Sequence, residues 1–294
     1  MPEKLGSSLF SADDIFPRLK DFRARLQSSG LAGKPLFFAK VDVRSCFDTI
    51  PQGPLLEVLE GLFTVNDYTV TRHAEAKILN SSSKNESAVT PKAIWRFIGK
   101  AQATRQKQAF SRGLHQEASE KCATVFVDGV VERHESRDKV LTLLNEHIQR
   151  NIIHFGKKYY RQHVGIPQGS IVSSLLCSFF YAELEKEVLG FVRDSNSLLV
   201  RLIDDFLLIS TDRSVAERFV QVMHAGVPKY GLTIKAAKSK ANFDVRVEGA
   251  AVTRLPAITD FPYCGNAINT VDLNVSKDEA RRQVNSEYRR LRWL

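Results

Sequence analysis

Hydrophobic and polar positions change period several times along this chain. After Ser11-Ala12-Asp13-Asp14, a helix start, Ile15, Leu19, Phe22 and Leu26 recur at helical spacing and predict a packing helix that ends at Gly30 and Gly33. Leu36 to Val43 follows as an apolar run of strand length with one acid, Asp42, near its end. Residues 55–63 read as helix, and Asn80 to Glu86 (NSSSKNE) is the most linker-like segment. Pro91 to Lys107 reads as a helix with proline in its first turn, its basic residues facing either phosphates or solvent. Thr124 to Glu132 predicts a hairpin about Asp128-Gly129, and Ser136 caps a helix running to about Asn151. Ile152 to Phe155 and Lys158 to Gln162, joined by Gly156-Lys157, predict a second hairpin.

The loop Gly165 to Ser170 breaks regular structure, and Ser170 caps a helix with Ile171, Leu175, Leu176, Phe179 and Leu184 on its expected buried face. Its free N-terminal N–H groups suit a phosphate or a base pair, although a simple helix-entry turn has the same composition. Ser214 to Val222 reads as a further helix, followed by the basic run Lys235, Lys238 and Lys240. Phe261 to Gly265 reads as a turn between short strands, and the arginine-rich C-terminus as a helix.

The chemistry is concentrated in Leu198 to Thr211, LLVRLIDDFLLIST, where two adjacent acids separate two apolar runs. This is a hairpin whose turn carries Asp204 and Asp205. Neighbouring side chains in a strand point to opposite faces, so both acids reach one site only at a turn or strained corner. Two packed carboxylates need a neutralising cation, whereas a surface turn would solvate them; the apolar flanks favour the buried reading. With Asp42, they form the set of hard oxygen ligands that two-metal phosphoryl transfer requires.

Composition widens the picture only a little. At 294 residues with 43% hydrophobic residues, the chain can bury a sizeable core. The net charge of +9 fits a polyanionic partner such as nucleic acid, or ordinary basic solubility. Four cysteines, Cys46, Cys122, Cys177 and Cys264, lie far apart without a CxxC, so neither a zinc site nor a disulfide scaffold is signalled and reduced intracellular thiols are expected. No apolar run reaches membrane-spanning length, no secretory leader is recognisable, and no repeat is present.

Five blocks in order carry a resemblance to a known family. KVDVRSCFDTIPQ (Lys40 to Gln52), GIPQGSIVSSLLCSFFYAELE (Gly165 to Glu185), LVRLIDDFLLIS (Leu199 to Ser210), GLTIKAAKSKANF (Gly231 to Phe243) and FPYCG (Phe261 to Gly265) resemble motifs A to E of reverse transcriptases. Leu202-Ile203 before the acids, Ser173-Ser174 in motif B and the long stretch between motifs A and B resemble telomerase reverse transcriptases rather than retroelement enzymes. The resemblance implies an α+β fold: a right-hand polymerase palm, with an antiparallel sheet packed on helices, a mostly helical fingers insertion and the start of a thumb. It divides the chain into residues 1–63 (first helix and motif A), 64–151 (insertion), 152–260 (motifs B, C and D) and 261–294 (primer grip and thumb start).

The resemblance also assigns roles. Asp42, Asp204 and Asp205 are expected to bind two Mg2+ ions, and Lys238 to neutralise or protonate the departing pyrophosphate. Val43 and Phe47 are expected against the incoming nucleotide, the Phe47 ring excluding a 2′-hydroxyl, with Gln168 and Gly169 around the nascent base pair. Asp48 is expected to be a structural hydrogen-bonding acid. Tyr263, Cys264 and Gly265 are expected to hold the primer 3′ end. The implied partners are a telomerase RNA template, a single-stranded telomeric DNA primer, deoxynucleoside triphosphates and the remaining polymerase domains, in the nucleus at chromosome ends and without a membrane. The RNA-binding domain and fingers motifs 1 and 2 are expected to lie outside this chain, leaving a core with weak or no activity by itself.

Overall fold

The computed structural model describes residues 4–79, 92–103, 114, 118–119, 121–247 and 252–278. The linker-like 80–86 segment and the C-terminal arginine stretch lie outside them. The helices are α1 (Ile15–Ser28), α2 (Cys46–Thr49), α3 (Gln52–Leu62), α4 (Arg137–Gln149), α5 (Ile171–Glu187) and α6 (Arg213–Ala225). The strands are β1 (Phe37–Asp42), β2 (Asp67–Leu79), β3 (Lys92–Gln102), β4 (Thr124–Ser136), β5 (Ile152–Phe155), β6 (Lys158–Arg161), β7 (Ser197–Leu202), β8 (Asp205–Ser210), β9 (Lys240–Ala241), β10 (Thr253–Arg254), β11 (Asp260–Tyr263), β12 (Asn266–Asn269) and β13 (Val275–Lys277). They form two compact units, residues 1–59 with 147–294, and residues 60–146.

The larger unit is built on a five-stranded sheet ordered β10-β9-β1-β8-β7. Its central strands β1 and β8 pair antiparallel and are apolar on both faces because both are covered. On one face Phe38, Val200, Leu207 and Ile209 join Ile15, Leu19, Phe22 and Leu26 of α1 and Phe261, Tyr263 and Ile268 of the small β11-β12-β13 sheet. On the other, Phe206 meets Tyr181 of α5 edge to face at 5.9 Å, and α6 lies against β1 and β8 with Ala216, Phe219, Val220 and Met223 buried. Each such fully buried large apolar side chain contributes roughly 1.5–3 kcal/mol. The first helix, the β7-β8 hairpin, the β5-β6 hairpin and the Phe261–Gly265 turn match the sequence reading, and the α+β palm fold is borne out.

Helix α5 has the predicted Ser170 cap, whose hydroxyl accepts from Val172 N at 3.3 Å. Its buried face is rotated from the expected one: Leu176, Cys177, Phe180, Tyr181 and Leu184 are inside, while Ile171 is 97% exposed and Leu175 lies at the surface. Apolar residues occur all around this helix, so periodicity alone could not select the face.

The smaller unit corrects two expectations. Lys92 to Gln102 is a strand paired with β2, not a helix, so the described part of the insertion is a β3-β2-β4 sheet rather than mostly helical. Ile94, Trp95, Phe97 and Ile98 have side chains that suit a pleated surface, and that preference outweighed the proline signal. Asp128-Gly129 is a bulge inside one continuous strand: Arg72 pairs with Val131 and His73 with Asp128. Val130 takes the left-handed φ of 47° and its N–H is held by Asp128 Oδ1 at 2.9 Å. A side chain at Gly129 would run into the Arg72 carbonyl.

Candidate active site

The β1-β8 register brings the acids together. Asp42 and Asp205 are the last cross-strand pair, and Leu202 opposite Asp205 closes the β7-β8 hairpin with Ile203 and Asp204 as its two turn residues. The turn therefore carries Ile203 and Asp204, with Asp205 already in β8, which narrows the sequence reading. Ile203 sits at φ 56°, a region a β-branched residue seldom enters, at a cost of order 1–3 kcal/mol. This corner lets adjacent acids face one site. Val43 fixes it from the other strand, its N–H donating to the Asp204 carbonyl at 3.0 Å.

Three lysines approach the acids. Lys238 Nζ lies 3.0 Å from Asp42 Oδ2, Lys235 Nζ 3.4 Å from Asp42 Oδ1, and Lys40 Nζ 3.0 Å from Asp205 Oδ1. Hydrogen bonding to Asp42, followed by the charges of Asp42, Asp205 and Asp204, raises the Lys238 pKa and keeps it an ammonium. Asp204 has no ion pair among the described residues; burial first, then Asp205 and Asp42, pushes its carboxyl above the ordinary range. Lys40 was missed in the sequence, although it shares a strand face with Asp42 two residues on and lies diagonal to Asp205.

The donor set suits a hard divalent cation. Asp42 Oδ1 and Asp205 Oδ1 are buried and accept no well-aligned hydrogen bond among the described residues, facing the ammonium groups of Lys235 and Lys40, and ionised Asp204 is disfavoured until further positive charge arrives. Among the described residues no three His, Cys, Asp or Glu side chains close into a metal cage. Magnesium ordinarily takes one or two carboxylates and completes its shell with water and substrate phosphates.

The motif E turn reaches the same carboxylates. Tyr263 Oη donates to the Asp205 carbonyl at 2.9 Å and accepts from Leu202 N at 3.1 Å, and Cys264 Sγ donates to Asp205 Oδ2 at 3.4 Å. Burial, then the Asp205 charge, raises the Cys264 thiol to about 12, so it remains a proton donor. Cys264 and Gly265 occupy left-handed conformations at φ 49° and 83° in the two-residue turn between β11 and β12.

Motif A and motif B residues meet beside this centre. Gly165 N donates to Ile50 O at 3.0 Å and Ile166 N to Phe47 O at 2.7 Å. Gln52 Nε2 reaches Gly165 O at 2.9 Å. Gly165 is at φ 81°, and a side chain there would strike the Phe47 carbonyl. Gln168 donates to Asp48 Oδ1 at 2.7 Å, so it is tied to the residue after Phe47 rather than to the acids, while Gly169 at φ 81° faces open space. The buried thiols of Cys46 and Cys177 approach to 3.8 Å, a contact their sequence separation concealed. Their hydrogen bond and burial push the Cys46 thiol up.

The family described as "Reverse transcriptase (RNA-dependent DNA polymerase)" matches residues 106–267, more than half of the chain. The chain belongs to the reverse transcriptase family. That match takes in motifs B to E, and curated relatives extend over motif A of this reverse transcriptase. The telomerase reverse transcriptase of Oryzias latipes is 33% identical over 281 residues, 94% of this chain and 25% of the relative. That of Bos taurus is 32% identical over 289 residues, 95% of this chain and 24% of the relative. The chain thus spans about a quarter of the length of the curated relatives it matches. An apo telomerase structure from Candida tropicalis superposes with a TM-score of 0.62 at 20% identity, covering 94% of this chain and 38% of that one. A Candida albicans telomerase structure with a TWJ fragment of telomeric RNA gives 0.59 at 20% identity, covering 94% and 36%. The resemblance to telomerase reverse transcriptases drawn from the five motifs is borne out.

Proposed function

We propose that this chain is the catalytic core of an RNA-directed DNA polymerase of the telomerase type, adding deoxynucleotides to a chromosome 3′ end on a bound RNA template. The observation that carries this reading is the pairing of Asp42 with Asp205 beside the strained Ile203-Asp204 corner. Asp42, Asp204 and Asp205 would hold two magnesium ions, which when bound supply Lewis-acid stabilisation of the attacking oxygen and of the triphosphate. The chain's own residues do the rest. Lys238, an ammonium hydrogen-bonded to Asp42, is placed to give a proton to departing pyrophosphate. Phe47, held through its carbonyl by Ile166, supplies the bulk that rejects a 2′-hydroxyl, with Val43 beside Asp204. Gln168 and Gly169 border the nascent base pair from the entry to α5. Tyr263, Cys264 and Gly265 direct the primer end toward Asp205.

The Candida albicans telomerase structure carries a TWJ fragment of telomeric RNA, which supports an RNA partner, and a template role for RNA belongs to the proposal. Telomeric DNA, deoxynucleoside triphosphates, further polymerase domains and a nuclear, telomeric site of action follow from the same reading. The test is magnesium-dependent primer extension on an RNA template, by the chain together with the segments its longer relatives carry outside this stretch. Wild type should extend the primer and Asp204→Ala should lose at least about a thousandfold in rate. Extension by Asp204→Ala at the wild-type rate, or none by wild type, would overturn the assignment.

A further inference from the structure

Arg201 is the largest fully buried side chain among the described residues, with 0% exposure. Burying an isolated guanidinium there would cost several kcal/mol, and every nitrogen of the Arg201 guanidinium has a partner. Nε donates to Glu185 Oε1 at 2.7 Å. Nη2 donates to Ser8 Oγ at 2.6 Å and to the Ser178 carbonyl at 3.0 Å. Nη1 is directed at the Ile203 carbonyl at 3.4 Å. Ile203 is the left-handed corner that turns the chain into Asp204.

Glu185 is fixed in turn. It accepts from Ser7 N and Ser7 Oγ, each at 2.7 Å, and a side chain at Gly6 (φ 58°) would run into its Oε2. The Ser7–Leu9 segment lies along β7: Arg201 N donates to Ser7 O at 2.9 Å and Leu9 N to Arg201 O at 2.7 Å. One planar fork therefore joins the first residues of the chain, the motif B helix and the corner of the catalytic hairpin. Apolar pairs of similar volume are often at least as stabilising as buried ion pairs, so the charge at this place points to geometry more than to stability. A lysine could keep the charge but not the three-way fork.

We propose that Arg201 is a positioning residue for the catalytic hairpin: through the Ile203 carbonyl it sets the place of Asp204, and Glu185 with the Ser7–Leu9 segment sets the place of Arg201. The link to chemistry rests on the proposed role of Asp204; the positioning itself does not. The test uses Arg201→Lys and the apolar double variant Arg201→Met with Glu185→Met. Amide exchange by NMR is the first readout, because the Val43 N–H bonds directly to the Asp204 carbonyl. Val43 should exchange at least about tenfold faster in both variants while Leu207 and Ile209 of the central strand keep their protection. Primer extension in the same assembly as above should lose about tenfold or more in kcat with little change in nucleotide KM. The proposal is overturned if Val43 keeps wild-type protection in a folded variant. It is equally overturned if Val43 and the central strand lose protection in proportion, or if neither variant folds, since Arg201 then serves the fold alone. Faster Val43 exchange with an unchanged kcat would break the link to the chemistry. An inactive wild-type assembly would sink the functional reading and leave the exchange result standing.

Discussion

Asp42 and Asp205 stand opposite each other as the last cross-strand pair of β1 and β8. Like charges at such a position weaken a sheet, here within a buried end that also includes Asp204. Lys238, Lys235 and Lys40 offset part of the repulsion, and the remainder falls on Asp204.

Asp204→Asn should therefore stabilise the metal-free protein. A carboxyl whose folded pKa lies above its unfolded one contributes stability at low pH that is lost as pH rises through the folded value. At pH 7 that contribution is gone, and Asn removes the buried charge; a gain of about 0.5–2 kcal/mol is the usual scale of a single stabilising substitution. The gain should vanish below the unfolded value of 3.8. Thermal unfolding at pH 7 and pH 3 checks it, and a lower Tm for Asp204→Asn at pH 7 would contradict the electrostatic account.

Phe47→Ala should relax sugar discrimination. The ring follows Asp42 by five residues and its backbone is pinned by the Ile166 N–H. The ratio of kcat/KM for deoxynucleotides to that for ribonucleotides should fall about tenfold or more, equivalent to ~1.4 kcal/mol. An unchanged ratio refutes the steric role.

Lys238→Ala should lower kcat by about 100-fold or more, the scale of a lost general acid. The raised Lys238 pKa means its stabilising pairing is complete below the ordinary lysine value of 10.5 and is lost only as pH climbs through the higher folded value. The kcat loss should thus appear at every pH from 6 to 9, without a new pH dependence of Tm in that range. A loss confined to the alkaline end would point elsewhere.

Gly165→Ala should cost more than Gly169→Ala. Both glycines have φ 81°, so both substitutions carry the ~1 kcal/mol left-handed penalty, but a Gly165 side chain also collides with the Phe47 carbonyl whereas Gly169 faces open space. Comparative denaturation midpoints measure the difference; equal midpoints would deny the close approach of the two motif loops.

The palm was legible because its strands are largely apolar runs around the acids, β1 and β7 each interrupted by a single basic residue, Lys40 or Arg201, a pattern that burial on both faces explains. Asp42, Asp204, Asp205 and Lys238 could be picked out, and the structure gathers them. The insertion was less legible: Pro91 and the basic residues after it imitate a helix start, while the pairing of Lys92–Gln102 with β2 is a long-range fact that local periodicity does not carry. Asp128-Gly129 has the composition of a turn, and only the β2 register makes it a bulge. Arg201 reads in sequence as one charge interrupting a strand. Its meaning depends on Glu185 from α5 and Ser8 from the first residues, a meeting that tertiary structure alone creates.

The central claim, that these three acids form a divalent-cation site, is tested most directly by Mn2+ binding to the chain with a deoxynucleoside triphosphate present, followed by electron paramagnetic resonance. The account predicts saturable binding by wild type beyond that of the free triphosphate, weakened at least about tenfold by Asp42→Asn and by Asp205→Asn. Wild-type binding no greater than that of the triphosphate alone, or unaffected by both substitutions, would contradict it.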